Sequence, residues 1–298
     1  MQTTKPSFRS ILEPYKSHVE QIIQNNMDCL GDKTPLRDAC EYALLNGGKR
    51  FRPALVLMIA KALGFQVDVS QAALCVEYFH TASLIADDLP CMDNDDERRN
   101  APTLHKIFGE STSLLATYTL IAAGYACLAR NTAILKDSAH PYVNQKERLC
   151  VLALENATQN TGILGATGGQ YLDLNPPNLS LKTLKEVIEK KTVTLFEISF
   201  VLGWIFGGGV LEKLPLVKKC AGHFGMAFQI ADDLGDMKQD SFHDHTMNFA
   251  NVYGKPAATQ LFHDEIHQFN QTLTALDLQS EDLQALTCLL IEQVQLLS

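Results

Sequence analysis

The sequence predicts an all-α protein built as a single large helical bundle, and three observations support this. Apolar residues recur at positions i, i+3, i+4 and i+7 through most of the chain, the period of an amphipathic helix. Alternation with period two is nowhere sustained, so strands are not expected. No linker of biased composition divides the 298 residues, so residues 1–298 are predicted to form one domain.

Ten helical segments follow from this periodicity, separated by breaks that contain glycine or proline. The early breaks are residues 31–35, 47–48 and 64, and loops are predicted at 131–143, 175–181 and 239–253. The predicted helices are residues 7–30, 35–47, 51–64, 68–88, 111–133, 145–164, 181–206, 212–236, 256–275 and 279–297.

The composition argues against several classes of protein. A net charge of −9 at pH 7 leaves no basic face for nucleic acid. The eight cysteines occur singly, which predicts neither a zinc site nor a disulfide framework and suits the reducing cytosol. The polar N-terminus lacks the apolar region of a signal peptide, and no stretch approaches the ~18 apolar residues of a membrane span. We therefore expect a soluble, cytoplasmic protein.

The segment GGKRFRP, residues 47–53, combines a flexible turn with three cations. Its two glycines permit a sharp turn, and Lys49, Arg50 and Arg52 follow at the start of a predicted helix. A helix N-terminus with clustered basic side chains is a good site for an anion. Taken alone, the segment is equally an ordinary turn between two helices.

The stretch HTASLIADDLPCMDNDDERR, residues 80–99, passes from an apolar run into a group of carboxylates. Pro90 cannot continue a helix, so the helix should end near Asp88, which places two acids at the negative end of its dipole. Mg²⁺ would offset this repulsion, because it takes carboxylate and phosphate oxygens as ligands. His80 lies seven residues before Asp87 and projects in the same direction. An isolated cluster of this kind is also compatible with a solvated loop.

A second acidic motif, FQIADDLGD, occupies residues 228–236. Asp232 and Asp236 are four residues apart, so their carboxylates share one face of an otherwise apolar helix. Acids on an apolar helix favour a metal or a cationic partner. The two acidic motifs together therefore predict one shared site for several Mg²⁺ ions.

Between the acidic motifs lie GATGGQYLDL, residues 165–174, and the pair Lys190-Lys191. Glycines inside a helical pattern indicate a kink or the close approach of another backbone. Gln170 and Asp173 share a helical face and would supply polar groups to a pocket. The two lysines alone are compatible with a solvated face.

The order of these motifs resembles that of the trans-isoprenyl diphosphate synthases, which make farnesyl and geranylgeranyl diphosphate. The resemblance covers nearly the whole chain, and its spacing in the first acidic motif looks like that of the bacterial and plant subtype. It implies the all-α isoprenoid synthase fold and a chain-elongation reaction. An allylic diphosphate ionises, the double bond of isopentenyl diphosphate attacks the cation, and a proton leaves. The matching elements are GGKRFRP, DDLPCMDNDDERR, Gln170/Asp173, Lys191-Thr192, FQIADDLGD and Gly254-Lys255.

The resemblance also implies a cofactor and roles for individual residues. The implied cofactor is Mg²⁺, bound as three ions together with substrate diphosphate. The implied metal ligands are Asp87, Asp93 and Asp232, with Asp88, Asp233 and Asp236 as further ligands or support. The implied substrate residues are Arg98, Lys191 and Lys255 for the allylic diphosphate, Lys49, Arg52, His80 and Arg99 for isopentenyl diphosphate, and Thr192 and Gln229 for steering the cation.

Product length is predicted from the residues before the first acid pair. By resemblance, farnesyl-making bacterial members carry a bulky aromatic residue at the fifth position before the first Asp, where this chain has Ala82, followed by Ser83. A small residue leaves the product tunnel open and favours the twenty-carbon product. Phe79, one turn deeper, is the alternative floor of the tunnel.

Several positions depart from the family pattern. Residues 116–119 read ATYT where members carry Ala-Gly-Asp-Ala, Ala86 replaces a common His, and Asn100 replaces a Gly. The segment 237–255 is shortened before Lys255, and its residues His243 and His245 are interpreted as a polar surface loop. These departures leave open the hypothesis of a non-catalytic regulatory partner of another prenyl synthase.

Two further expectations concern reaction class and assembly. A terpene cyclase would keep the acidic motifs but would have no use for a second diphosphate site, so the cations of residues 47–53 and 98–99 argue against it. The family resemblance implies a homodimer. The apolar segment 111–133 is the candidate interface.

Overall fold

The computed structural model describes residues 8–240, 248–278 and 280–297, and helices dominate all three ranges. This confirms the predicted all-α class. The helices are α1 (Phe8–Asn25), α2 (Pro35–Leu45), α3 (Phe51–Leu63), α4 (Ser70–Asp87), α5 (Leu104–Phe108), α6 (Glu110–Ile134), α7 (Lys146–Thr161), α8 (Ala166–Leu174), α9 (Leu181–Val187), α10 (Thr194–Gly207), α11 (Leu214–Asp240), α12 (Phe249–Tyr253), α13 (Lys255–Leu276) and α14 (Glu281–Leu297).

Most predicted helices are confirmed, with differences at their ends. The first predicted helix is split, because α1 ends at Asn25 and a separate 3₁₀ turn covers Met27–Leu30. α6 continues to Ile134, into the predicted loop at 131–143, and α12 forms inside the predicted loop at 239–253. A π-helical turn, Ile188–Val193, joins α9 to α10.

The expectation that no strands form is wrong at one place. Two residue pairs, Glu97–Arg98 (β1) and Ala101–Pro102 (β2), form a short antiparallel ladder in which Glu97 opposes Pro102. The two residues between them, Arg99 and Asn100, both have positive φ, at 57° and 62°. Positive φ at both central residues is the mark of a tight type I′ hairpin turn. Such a turn acts locally and leaves no periodic signal in the sequence.

Helix α10 lies at the centre of the bundle and is buried on all sides, as expected for a helix surrounded by others. It packs against α3, α4, α7 and α11. Around it, α4 packs along α6, and α11 packs along α13. Because α4 and α11 both rest on α10, one core supports the two helices that bear the acidic motifs.

An aromatic cluster holds α3, α10 and α11 together. The ring of Phe51 lies 5.1 Å from that of Phe228 and stacks on Phe224 at 5.8 Å. Phe196 of α10 lies 4.9 Å from Phe228. Offset and edge contacts at these separations add to the energy of burial. The cluster fixes the start of α3, and hence Arg52, against the helix that carries Gln229.

The expectation that no stretch approaches a membrane span does not hold for helix α6. By length and composition Glu110–Ile134 is apolar enough to cross a membrane, with a mean hydropathy of 1.4 over an 18-residue window, 39% of it buried. Small and weakly polar residues reach this average without forming an unbroken apolar run. A single helix of this kind is weak evidence for a span, because core helices of soluble proteins meet the same test.

Candidate active site

The first acidic motif lies where α4 ends. α4 stops at Asp87 with Asp88 as its C-cap, as the proline predicted. The loop then folds back, and the Asp93 N–H donates to the backbone oxygen of Asp87 at 2.9 Å. Burial, opposed by the charge of Lys191, raises the pKa of Asp87 to about 7, and it also raises the pKa of Asp93. The positive charge around these two carboxyls is therefore too small to offset the effect of burial on their pKa values.

Asp88 has a cationic partner. Its side chain is buried, and its Oδ1 accepts from Arg98 Nε at 2.6 Å and Arg98 Nη2 at 2.5 Å. Arg98 Nη2 also contacts Asp95 at 3.2 Å. A two-nitrogen contact of this kind is geometrically specific. This contact gives Asp88 a supporting role next to the implied metal ligands and holds the Arg98 guanidinium beside the first acidic motif.

The β1–β2 hairpin sets the position of Arg99. Its guanidinium lies across the turn at residues 47–48, where Nη1 donates to the Gly47 oxygen at 2.5 Å. Gly48 has a φ of 122°, which favours glycine, and a Cβ there would lie 2.6 Å from the Arg99 guanidinium carbon and displace it. Asn100 occupies the left-handed region, which asparagine tolerates better than most residues. The departure from glycine at this position is therefore compatible with the turn.

A cleft of about 890 Å³ lies between this hairpin, α3 and α11. Cationic side chains and His80 line it together with Asp232, Gln229 and Phe228. The cleft brings together residues that are far apart in the sequence. Those among the predicted site residues are Lys49, Arg52, His80, Arg98, Arg99, Gln229 and Asp232.

Arg52 and His80 form the inner part of the cleft. Arg52 Nη1 lies 3.4 Å from His80 Nε2, and the guanidinium carbon lies 4.5 Å above the Phe196 ring. Burial lowers the pKa of Arg52 to about 10, and burial together with the nearby arginines lowers the pKa of His80. At neutral pH the arginine is charged and the histidine is neutral. The Arg52 Nε is buried without a hydrogen-bond partner among the described residues, as expected of a donor that awaits an anion.

Arg50 has a different role from the two cations beside it in the sequence. It is buried, pairs with Glu77 of α4, and donates from Nη2 to the Leu44 oxygen at 2.5 Å. A buried charge needs such a partner. The sequence presents Lys49, Arg50 and Arg52 as equivalent cations, whereas the structure assigns the middle one to holding the turn against α4.

The glycines of α8 allow that helix to approach the π-helical turn. A Cβ on Gly169 would lie 2.4 Å from the backbone nitrogen of Lys191. This approach lets Lys191 Nζ contact Asp173 at 2.6 Å, while Gln170 Nε2 lies 3.5 Å from Asp93 Oδ1. Burial acts against the charge of Lys191, but the carboxylates of Asp173, Asp87 and Asp93 outweigh it and raise the lysine pKa. Lys191 therefore stands charged beside the first acidic motif.

The second acidic motif is linked to the same turn through α11. Thr192 Oγ1 donates to Gln229 Oε1 at 2.8 Å, and Gln229 Nε2 donates to Asp233 Oδ1 at 2.8 Å. The other Asp233 oxygen accepts from the Phe249 N–H at 2.8 Å. Asp233 thus anchors α12. Together with Asn248, which the sequence reasoning did not identify, it holds the chain that leads to Lys255.

Asp232 is the residue of this motif that faces the cleft. Burial raises its pKa to about 6, Lys49 and Arg52 act in the opposite direction, and Asp236 adds repulsion. Asp236 itself lies on an exposed part of α11. Lys255 opens α13 directly after Gly254, whose φ is 84°. His243 and His245 lie outside the described residues.

The predicted chain-length residues lie on the buried side of α4. Ala82 and Phe79 are buried, and the Ser83 hydroxyl donates to the backbone oxygen of His80 at 2.9 Å. The Phe79 ring lies 5.0 Å from Tyr125 of α6, whose hydroxyl contacts Thr161 Oγ1 at 2.7 Å. The sequence reasoning missed this partner pair, because nothing in the spacing links α4 to α6 and α7.

The substitutions at residues 116–119 fit within α6. Thr117 is buried, and its hydroxyl donates to the Ser113 backbone oxygen at 3.1 Å, while Thr119 donates to Leu115 at 2.9 Å. Tyr118 is 58% exposed, in line with other exposed apolar residues of the helix. The departure from the family pattern therefore leaves α6 intact and changes the character of its outer face.

The fit to Mg²⁺ depends on the chemistry of these donors. Among the described residues, no group of three or more His, Cys, Asp or Glu side chains is gathered closely enough to hold a metal by itself. Asp87 and Asp232 are half-buried, Asp93 is exposed, and all three nevertheless have raised pKa values. Oxygen donors from two separate helices suit Mg²⁺, which binds through a few carboxylates plus substrate phosphates. The donor set therefore fits the ion when a diphosphate completes it.

Comparison with known proteins identifies the family. The family described as polyprenyl synthetase matches residues 33–271. The chain belongs to the polyprenyl synthetase family. This confirms the resemblance seen in the motifs.

Individual relatives agree with this assignment. The chain is 38% identical over 210 residues to a chloroplastic geranylgeranyl pyrophosphate synthase of Capsicum annuum, covering 69% of this chain and 54% of that protein. It is 31% identical over 249 residues to a trans-prenyltransferase of African swine fever virus, covering 81% and 71%. The chain thus spans only slightly more than half the length of the Capsicum protein.

Solved structures agree over almost the full chain. A geranyltransferase from Legionella pneumophila superposes with a TM-score of 0.79 at 26% identity and covers 96% of both chains. An FPP/GFPP synthase from Zymomonas mobilis gives 0.76 at 27% identity, covering 95% of this chain and 98% of that one. The isoprenoid synthase fold predicted from the resemblance is confirmed.

Proposed function

We propose that the protein is a Mg²⁺-dependent trans-prenyltransferase that condenses isopentenyl diphosphate with an allylic diphosphate. The observation that carries this proposal is the cleft, which is lined both by the cations of residues 49, 52 and 99 and by Asp232. The cations hold an anion directly, whereas the aspartate needs a metal before it accepts one. Two diphosphates of different roles suit such a pair of sites.

Different residues would bind the two substrates. Lys49, Arg52 and Arg99 would hold isopentenyl diphosphate, and neutral His80 would position the Arg52 guanidinium. Lys191 would bind the allylic diphosphate beside Asp87, with Arg98 and Lys255 completing its charge. Bound Mg²⁺ supplies fixed positive charge for the leaving diphosphate.

The bond changes need few further groups. The allylic C–O bond breaks with its electrons going to the diphosphate, the new C–C bond forms, and a diphosphate oxygen takes the departing proton. Thr192 and Gln229, which share a hydrogen bond at 2.8 Å, would steer the cation with their oxygen dipoles. The aromatic cluster of Phe51, Phe196, Phe224 and Phe228 would help to exclude water, which would otherwise capture the cation.

We propose geranylgeranyl diphosphate as the product, in preference to farnesyl diphosphate. The small Ala82 side chain would leave room for a longer chain, and the Phe79–Tyr125 contact, one turn deeper, would form the floor. The relative from Capsicum annuum is itself named a geranylgeranyl pyrophosphate synthase. A floor one turn below Ala82 allows a longer chain than a bulky residue at Ala82 would.

The proposed assembly is a homodimer formed through α6. The outer face of α6 exposes apolar residues that are at most four positions apart in the sequence, and α7 exposes two more beside them. Packing two copies face to face would remove this apolar surface from water. The exposed side chains are Leu114, Leu115, Tyr118, Val151 and Leu154. Sedimentation or light scattering of the wild type and of Leu115→Glu would test this, with a shift to monomer expected for the variant.

We further propose a cytoplasmic location, since all eight cysteines are free thiols and suit a reducing compartment. Fractionation of cells that express the protein would test it. Recovery with membranes would contradict the proposal and would direct attention to α6.

The alternative is a non-catalytic regulatory partner of another prenyl synthase. The exposed Tyr118, at a position where the family pattern has an acid, favours it by altering the outer face of α6. A relative from Arabidopsis thaliana, 35% identical over 243 residues, is named the large subunit of a heterodimeric geranylgeranyl pyrophosphate synthase. The mutually repelling aspartates favour catalysis, because an idle subunit gains nothing from them.

Product analysis separates these possibilities. Purified protein would be incubated with isopentenyl diphosphate, each allylic primer in turn, and Mg²⁺. A twenty-carbon product is expected, and Ala82→Tyr should shorten it, while Ser83→Ala serves as a matched control that leaves the space open. A fifteen-carbon product would keep the enzyme and contradict the argument from Ala82. No product with any primer would favour the regulatory partner.

A further inference from the structure

Helix α1 contributes a further wall to the cleft. Besides α3, α11 and the hairpin, the lining includes Leu12, Glu13 and Lys16. None of these three belongs to a motif that the sequence singled out. α1 packs against α3 and α4, the helices that carry Arg52 and His80.

Lys16 occupies an unusual place for a lysine. It lies between Leu12 and Val19, which are 5% and 1% exposed, so it projects from the edge of the core-facing side of α1. Its own side chain is only 33% exposed. Among the described residues its ion-pair partner is Glu20, at the loose distance of 3.9 Å. A lysine directed into a cleft with so weak a partner is available to an anion.

The charges around the cleft favour such an anion. Arg50 is engaged by Glu77, so it adds little net charge to the cleft. Lys49, Arg52 and Arg99 remain on the side of α3 and the hairpin. A diphosphate carries several negative charges over two phosphorus centres. A cation on α1 would contact the phosphate oxygens that Lys49, Arg52 and Arg99 leave exposed.

We propose that Lys16 is a further binding residue for the diphosphate of isopentenyl diphosphate, opposed by Glu13 on the same helix. This inference rests on the proposed function, since it assigns a residue to one of its two substrates. Glu13 and Lys16 are three residues apart and line one cleft, so they act on the same anion with opposite sign. The helix thereby sets the affinity for the substrate that binds without metal.

The test is steady-state kinetics with the full chain and saturating allylic diphosphate and Mg²⁺. Lys16→Ala should raise the KM for isopentenyl diphosphate about two- to fivefold, the range of a partly exposed ion pair. kcat and the KM for the allylic diphosphate should stay unchanged. Lys16→Arg should restore the KM, and Glu13→Gln should lower it. The effect of Lys16→Ala should shrink at high ionic strength.

Glu20→Gln is the matched control, because it removes the ion pair while leaving the lysine, and it should not raise the KM. A purely structural role for α1 would move both KM values and the melting temperature together, and would give Glu13→Gln the same sign as Lys16→Ala. Either of those results, or an unchanged KM in Lys16→Ala, would overturn the proposal.

Failure of the proposed function can be told apart from failure of this inference. If the wild type makes no product, inorganic diphosphate is titrated calorimetrically without Mg²⁺. Under these conditions only the basic side of the cleft binds the anion. Weaker binding by Lys16→Ala than by Glu20→Gln would support the role of Lys16, and equal binding would refute it.

Discussion

Asp87→Asn should stabilise the metal-free protein while removing its activity. In the folded chain the pKa of Asp87 rises from 3.8 to about 7. A carboxyl with a raised pKa penalises folding once it is forced to ionise. The penalty is absent below about pH 4, grows as the pH rises, and is complete above about pH 7. Asparagine cannot ionise and does not incur it.

The size of the effect follows from this pKa. A rise from 3.8 to about 7 corresponds to at most about 4 kcal/mol at pH 8. Asp87 is only partly buried, and asparagine loses the attraction to Lys191, so we expect a net gain of about 1–2 kcal/mol. In a chain of this size that raises the melting temperature by about 2–3 °C.

The assay is thermal unfolding in EDTA at pH 4.5 and at pH 8, with turnover measured in Mg²⁺. The stabilisation should be complete at pH 8 and about a quarter as large at pH 4.5, because that pH lies only slightly above the unfolded-state pKa of 3.8. Asp96→Asn is the control of opposite sign, because Lys106 lowers the pKa of Asp96 and its removal should not stabilise. Equal stabilisation of Asp87→Asn at both pH values, or none at pH 8, would refute the electrostatic reasoning.

Three further predictions concern residues that position the site. Gly169→Ala should lower kcat by about tenfold or more with a folded protein, because its Cβ would meet the backbone of Lys191; unchanged kinetics would contradict this close packing. Glu77→Gln should cost about 3–5 kcal/mol in a denaturant titration, because it leaves Arg50 buried without its anion. Asn100→Val should weaken turnover through the hairpin while Asn100→Gly preserves it, since φ is 62° there.

The helical class and the position of each motif were predictable from the sequence. Helical periodicity is a local property, and a break such as Pro90 ends α4 through a clash within its own chain. The glycines at residues 168–169 predicted either a kink or the close approach of another backbone, because glycine destabilises a helix but leaves room for one, and the structure shows the approach at Gly169. Its partner, the backbone of Lys191, was not predictable from spacing.

The sequence by itself determined which residues carry charge at the site and in what order along the chain. Only the tertiary structure decided which of those charges are already neutralised. Arg50 and Arg52 are two residues apart and both line the cleft, yet Arg50 is paired with Glu77 whereas Arg52 lies beside the neutral His80. Burial makes a partner necessary for a charge, and that partner comes from whichever helix packs alongside. The pairing therefore depends on the packing of α4 and α11 around α10, which no local pattern records.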